Sequence, residues 1–183
     1  KHDPLLLLSL LDEVQAHNLA AQLVVVSTGV GADMIRDKAS GRSDVVQLDF
    51  QPNDELPDVL ASGDVLVALL EPDASRFSVP SKVCSYLAAG RPVLALTPDS
   101  NPCTPLVNRS GGMVAYPDKS GTALAGSWAA QLAHDPDIAR QIGSRARELA
   151  MAEFAINPIV DAFERMLHKA DAPRAFHSDL RNP

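Results

Sequence analysis

The stretch FSVPSKVCSYLAAGRPV, residues 77–93, puts Ser78, Pro80, Ser81 and Lys82 at the entrance of a small-residue helix. Proline in a first turn pre-sets φ, and Ser78 or Ser81 can cap free N–H groups. Those N–H groups and the helix dipole favour an anion such as a phosphate. Lys82 is a cation in the turn where the dipole disfavours one, which costs about 0.3 kcal/mol or more unless an anion sits nearby. Two readings follow: a phosphate cradle, or a well-made helix boundary with a misplaced lysine. The mismatch at Lys82 favours the first. Ser81 and Ser85 share one side of the helix, with Val83 and Leu87 turned to the core. Ala88, Ala89 and Gly90 suit close approach to a sheet, and Gly90 suits the residue after the helix end.

Other chemistry is poorly served. The histidines at 2, 17, 134, 168 and 177 have no metal-ligand spacing. Neither a Gly-x-Ser-x-Gly elbow nor a Walker phosphate loop occurs. The turn STGVGAD (27–33) has Gly29 and Gly31 before a helix, but Met34 stands at the third glycine position of a dinucleotide fingerprint. A tight strand-to-helix turn is the better reading, with Asp49 as the ribose acid should the fingerprint hold. Asp64 reads as a structural residue ahead of a buried strand. Cys84 and Cys103 form no disulfide framework and read as two reduced thiols of a cytosolic protein.

The elements that must position these residues alternate. Runs at 22–28, 45–49, 65–70, 92–96 and 113–116 are short and rich in Val and Leu, as strands covered on both faces are. Helices are expected at 4–18, 31–39, 53–62, 80–89, 103–110, 120–134, 136–153 and 157–169. In the third, Asn53 reads as N-cap, Pro57 falls in the first turn, and Leu56, Val59 and Leu60 form a core-facing stripe. This order predicts an α/β class with a doubly wound parallel sheet, ligands binding beyond the strands' carboxyl ends. The loops at 28–31, 49–52, 70–80 and 97–102 are therefore site loops. A doubly wound unit ordinarily begins with a strand, so the sequence reads as a fragment lacking its first one. The tail at 171–183 has no period and is expected to be loosely ordered.

With 183 residues, 46% of them apolar and only 4% aromatic, the chain suits one Leu/Val/Ala-rich domain. A net charge of −7 argues against a nucleic-acid partner. The run PLLLLSLL (4–11) is too short to span a bilayer.

VVQLDFQPNDELPDVLASGDVLVALL, then VPSKVCSYLAAGRPVLAL, then GGMVAYPDKSGTALAGSWAAQLAHDPDIARQIGSRAREL together resemble the C-terminal, donor-binding domain of retaining GT-B glycosyltransferases. The resemblance spans Lys1 to about residue 169 and is most specific in the Pro-Ser-Lys helix. It implies residues 1–170 as a Rossmann-like nucleotide-sugar-binding domain. The full-length protein would supply an N-terminal acceptor-binding domain. It implies a diphosphate over Ser78, Val79, Ser81 and Lys82, with Lys1 as a further phosphate contact. Ser85 would meet the ribose, and Phe50 and Gln51 the base. Lys82 would stabilise the leaving group, with no metal or other cofactor. The activity implied is sugar transfer from a nucleotide diphosphate in cell-surface polysaccharide or glycolipid synthesis. It would take place in the cytoplasm, with the full-length enzyme at the periphery of the membrane's inner face. The family's two glutamates, with seven residues between them, are replaced by Phe77 and Ser85. Phe77 accepts no hydrogen bond, and Ser85 offers a weaker one than a carboxylate. A GT-B nucleotide-sugar epimerase and a non-catalytic nucleotide-binding module are the alternatives.

Overall fold

The computed structural model describes residues 3–70 and 81–171. In chain order these form α1 (Leu6–Gln15), β1 (Leu23–Val26), α2 (Val30–Lys38), β2 (Val45–Leu48), α3 (Leu56–Ser62), β3 (Leu66–Leu69) and α4 (Ser81–Ala88). They continue as β4 (Val93–Leu96), α5 (Thr104–Ser110), β5 (Met113–Ala115), α6 (Lys119–His134), α7 (Pro136–Phe154) and α8 (Ile156–Asp171). The expected tail lies outside the described residues, apart from Asp171.

Every strand pairing is parallel, as the apolar runs predict. β1 and β2 pair from Leu23–Val45 to Val26–Leu48, and β4 lies between β3 and β5, with Leu66 opposite Val93 and Leu94 opposite Met113. All four residues of β4 are buried, because both of its faces are covered. Val93 and Ala95 meet Val83 and Leu87 of α4, Val107 of α5, and Ala146 and Ala150 of α7. Leu94 and Leu96 meet Leu10 of α1 and Ala125 of α6. Leu8 of α1 packs instead with Val25 of β1 and with Ile35 and Ala39 of α2 and its end.

Two devices fix α1. A Cβ on Gly126 of α6 would stand 2.6 Å from the Glu13 Cβ, so only glycine lets these helices meet as they do. At the far end, Asp44 accepts from Gln15 Nε2 at 2.9 Å and from Arg42 Nε and Nη2 at 3.1 and 2.7 Å. Arg42 also pairs with Asp12 at 2.8 Å. These bonds hold the Asp44 carboxyl well below the usual carboxylate range, with Arg42 the larger cause.

The third helix departs from expectation. It begins at Leu56 after Glu55, not at Asn53, and its N-cap makes no side-chain hydrogen bond. None of its residues is buried; Leu56 is 43% exposed. The expected core-facing stripe is not found: Leu56 and Leu60 line a surface groove, and Val59 is only half-buried. Among the described residues, no helix is long and apolar enough to cross a membrane.

Candidate functional site

Two buried residues orient the helix that the sequence singles out. Val83 and Leu87 are fully buried in the core beneath α4, so Ser81, Lys82 and Ser85 face outward and are exposed. The same helix is closed firmly at its other end. Gly90 adopts φ 69°, and its N–H donates to the Leu87 carbonyl at 3.0 Å. Arg147 of α7 donates to the Ala88 carbonyl, a cation where the dipole favours one. Gly90 approaches α7 and not the sheet that its small size suggested, with the Gly143 carbonyl 3.6 Å from where its Cβ would be.

α4 follows β3, so its first turn stands at the carboxyl ends of the strands, where doubly wound sheets bind ligands. Among the expected diphosphate contacts, Ser81 and Lys82 are placed there. Lys1, Ser78, Val79 and Phe77 lie outside the described residues.

The loop after β2 carries the expected base site. Phe50 is 70% exposed. Gln51 is half-buried, and its Nε2 donates to the Asp49 carbonyl at 2.9 Å. Between α3 and α4 runs a groove of about 480 Å³. Asn53 and Ser85 line it toward the carboxyl edge, and Ala89 and Arg147 toward the other. Ser85 and Asn53, in the loop that follows Phe50 and Gln51, therefore border one depression. Arg91, in the turn after α4, donates to the Ala61 carbonyl near the end of α3.

Beyond β4 lies a polar group that the sequence shows only as a site loop. Thr97 and Asn101 are buried, and Thr104 opens α5. Asn101 Oδ1 accepts from the Cys103 N–H at 2.9 Å, whereas the Thr97 and Thr104 hydroxyls have no hydrogen-bond partner among the described residues. Polar residues directly after an all-apolar strand were the available signal. Cys103 is buried beside them, and burial pushes its thiol up to about 11; both cysteines are free. Among the described residues, no three His, Cys, Asp or Glu side chains converge to hold a metal ion.

The turn at 27–33 is what its glycines suggested. Gly29 is the residue before α2, at φ 92°, while Gly31 has no such requirement.

This architecture recurs in solved structures. HepE from Anabaena, in complex with UDP and glucose, superposes with a TM-score of 0.70 at 15% identity, over 88% of this chain and 44% of that one. The fold is the Rossmann-like half of a GT-B protein. TarM matches with a TM-score of 0.65 at 17% identity, over 90% of this chain and 32% of its own. Sucrose-phosphate synthase from Thermosynechococcus elongatus matches at 0.60 and 18%, over 88% of this chain and 42% of its own. This GT-B half thus spans less than half the length of each of these proteins. HepE has also been solved with UDP-glucose. No protein-family profile and no curated protein sequence matches the chain.

Proposed function

We propose that the chain is the donor-binding half of a glycosyltransferase that moves a sugar from a nucleoside diphosphate to an acceptor hydroxyl. The observation that carries this reading is the entrance of α4. Ser81 and Lys82 are exposed at a helix N-terminus on the carboxyl edge of a fold found in HepE with UDP-glucose. The acceptor would be held by a further, N-terminal domain of a longer protein.

In this reading the bond between the sugar's anomeric carbon and the diphosphate breaks with its electron pair leaving on oxygen. A bond from the acceptor oxygen forms, and the acceptor's proton is released. Charge therefore builds on the diphosphate. First-turn N–H groups of α4 and the Lys82 ammonium meet that charge as preorganised donors, without a metal ion. Lys1, Ser78 and Val79 would complete the cradle. Ser85 would hold the ribose with one hydroxyl, and Phe50 and Gln51 would flank the base. Polysaccharide or glycolipid synthesis at the cytoplasmic face of a membrane is the setting this activity fits.

A second reading, a non-catalytic nucleotide-binding module, is favoured by one observation: Phe77 and Ser85 stand where carboxylates would contact sugar and ribose. Calorimetry of residues 1–183 with UDP, GDP, ADP, the matching monophosphates and NAD tests the diphosphate site that both readings require. Binding of one nucleoside diphosphate, weakened at least about tenfold by Lys82→Ala, is the expected result. Binding of no nucleotide would leave an assembly role, and a preference for NAD would move the site to the Gly29 turn. This chain alone should transfer no sugar; measurable turnover would overturn the two-domain reading.

A further inference from the structure

Three buried side-chain atoms have no hydrogen-bond partner among the described residues: Gln47 Oε1 and the hydroxyls of Thr97 and Thr104. The Gln47 side chain is anchored all the same, because its Nε2 donates to the Ala32 carbonyl at 2.8 Å. A threonine has no second polar atom to anchor it. A buried hydroxyl without a partner costs free energy, and valine would fill the same space without that cost. Two such hydroxyls in one corner of a Leu/Val/Ala core therefore mark a place for a polar group.

That corner adjoins the entrance of α4. The Thr97 N–H donates to the Ala115 carbonyl at 2.8 Å, so the ladder between β4 and β5 continues as far as this residue. Side chains alternate along a strand, which puts Thr97 on the face of Val93 and Ala95. Val83 of α4 packs on that face, in one cluster with Cys103. Thr104 follows Cys103 directly, as the first residue of α5. The Leu70 N–H donates to the Leu96 carbonyl at 2.9 Å, so Thr97 stands just past the end of β3, from which the chain runs on to α4. Thr97 is fully buried and Thr104 is 9% exposed, whereas Asp99, Ser100 and Pro102 of the loop between them are exposed. Both hydroxyls thus sit beneath a surface loop at the carboxyl edge, in the layer that Val83 covers.

We propose that Thr97 and Thr104 form a neutral subsite for a hydroxyl of the transferred sugar, beside the diphosphate cradle at Ser81 and Lys82. The subsite rests on the donor-site reading of that cradle. Its chemistry selects a sugar over a further phosphate. A phosphate buried there would lack a cation, since Val83, Ala95 and Cys103 supply none. A threonine hydroxyl donates one bond and accepts others, as a sugar hydroxyl does, so each can satisfy the other. The sugar is bonded to the diphosphate and reaches only places that adjoin the cradle. The threonines break and form no covalent bond; they bind and orient.

The test measures by calorimetry the affinity of residues 1–183 for UDP and UDP-glucose, GDP and GDP-mannose, and ADP and ADP-glucose. The pair that binds is then measured with Thr97→Val, Thr104→Val and Thr97→Ser. Each valine variant should weaken the nucleotide sugar about threefold or more relative to its diphosphate. Thr97→Ser, which keeps a hydroxyl, should hold the parent's ratio. One monodeoxy form of the sugar should show the same loss with the parent and no further loss with Thr97→Val. Melting curves check that each variant folds; if Thr97→Val does not, Thr104→Val carries the comparison. A ratio unchanged in the valine variants would overturn the proposal while leaving the diphosphate site standing. Lower stability with that unchanged ratio would give the hydroxyls to a buried water or to the fold, and higher stability would leave them without a partner. A parent that binds no nucleoside diphosphate would overturn the donor-site reading, and the subsite with it.

Discussion

Gly143 of α7 lies so close to Gly90, just past the end of α4, that a Cβ there would stand 2.3 Å from the Gly90 carbonyl oxygen. That carbonyl is backbone, held by the left-handed φ of Gly90, and cannot swing aside as a side chain could. Gly143→Ala must therefore push α7 away from α4 or shift the turn at 90. Unfolding in urea should show a loss of about 1–3 kcal/mol with little change in m. Ser144→Ala, one residue along on the exposed side, should change stability by less than about 0.5 kcal/mol.

The Asp44 cluster makes stability depend on acid. Its folded carboxyl is held below the unfolded one by Arg42 first and Gln15 second. A depressed carboxylate contributes stability that is complete above the unfolded value, about pH 4, and is lost as pH falls toward the folded value. Asp44→Asn should thus be less stable than the parent by a constant margin at pH 6–8. That margin should shrink below about pH 4. Parallel melting curves across pH 2–8 check this; a margin that is unchanged below pH 4 would show that Asp44 acts through packing instead.

Much of this was written in the sequence, and the exceptions have physical causes. Short Val- and Leu-rich runs marked all five strands, each trimmed by one to three residues in the structure, but burial on both faces holds along the whole length of β4 alone. The inward turn of Val83 and Leu87 followed from spacing alone. α3 was harder, because periodicity marks the apolar face of a helix without saying whether a core or a groove lies beneath it. Gly90 showed that a small residue permits close approach but does not name the neighbour, which here is Gly143, far along the chain in α7. Arg147 was illegible for the same reason: its role at the end of α4 exists only once α7 has packed. Nothing in a single sequence could show that Thr97 and Thr104 bury hydroxyls without partners among the described residues.

The two cysteines should differ in reactivity. Cys103 is buried and its thiol lies at about 11, so almost no thiolate exists near neutrality, whereas Cys84 is half-buried. With an aromatic disulfide reagent at pH 8, the native protein should release one equivalent and the urea-denatured protein two. Cys84→Ser should abolish the native reaction. Fast native labelling of Cys103 in that variant would mean that the core around β4 opens far more readily than its burial implies.

Lys82 gives the sharpest contrast, because its two readings differ in sign. A cation in the first turn of α4 opposes the helix dipole, so Lys82→Ala should leave the unliganded fold unchanged or stabilise it by about 0.3 kcal/mol. If the lysine meets the diphosphate, the same variant should bind a nucleoside diphosphate at least about tenfold more weakly, with little change for the nucleoside. In a longer, two-domain enzyme, losing that contact should cost about 2–4 kcal/mol of transition-state stabilisation, a fall in kcat of about 30- to 1,000-fold. Lys82→Arg should recover part of the binding. Rising salt should weaken the parent's affinity more than the variant's, since only the parent brings that cation to the ligand. Urea unfolding and calorimetry on one preparation measure both quantities. A variant that gains stability and keeps its nucleotide affinity would return residues 77–93 to a helix boundary with an ill-placed lysine.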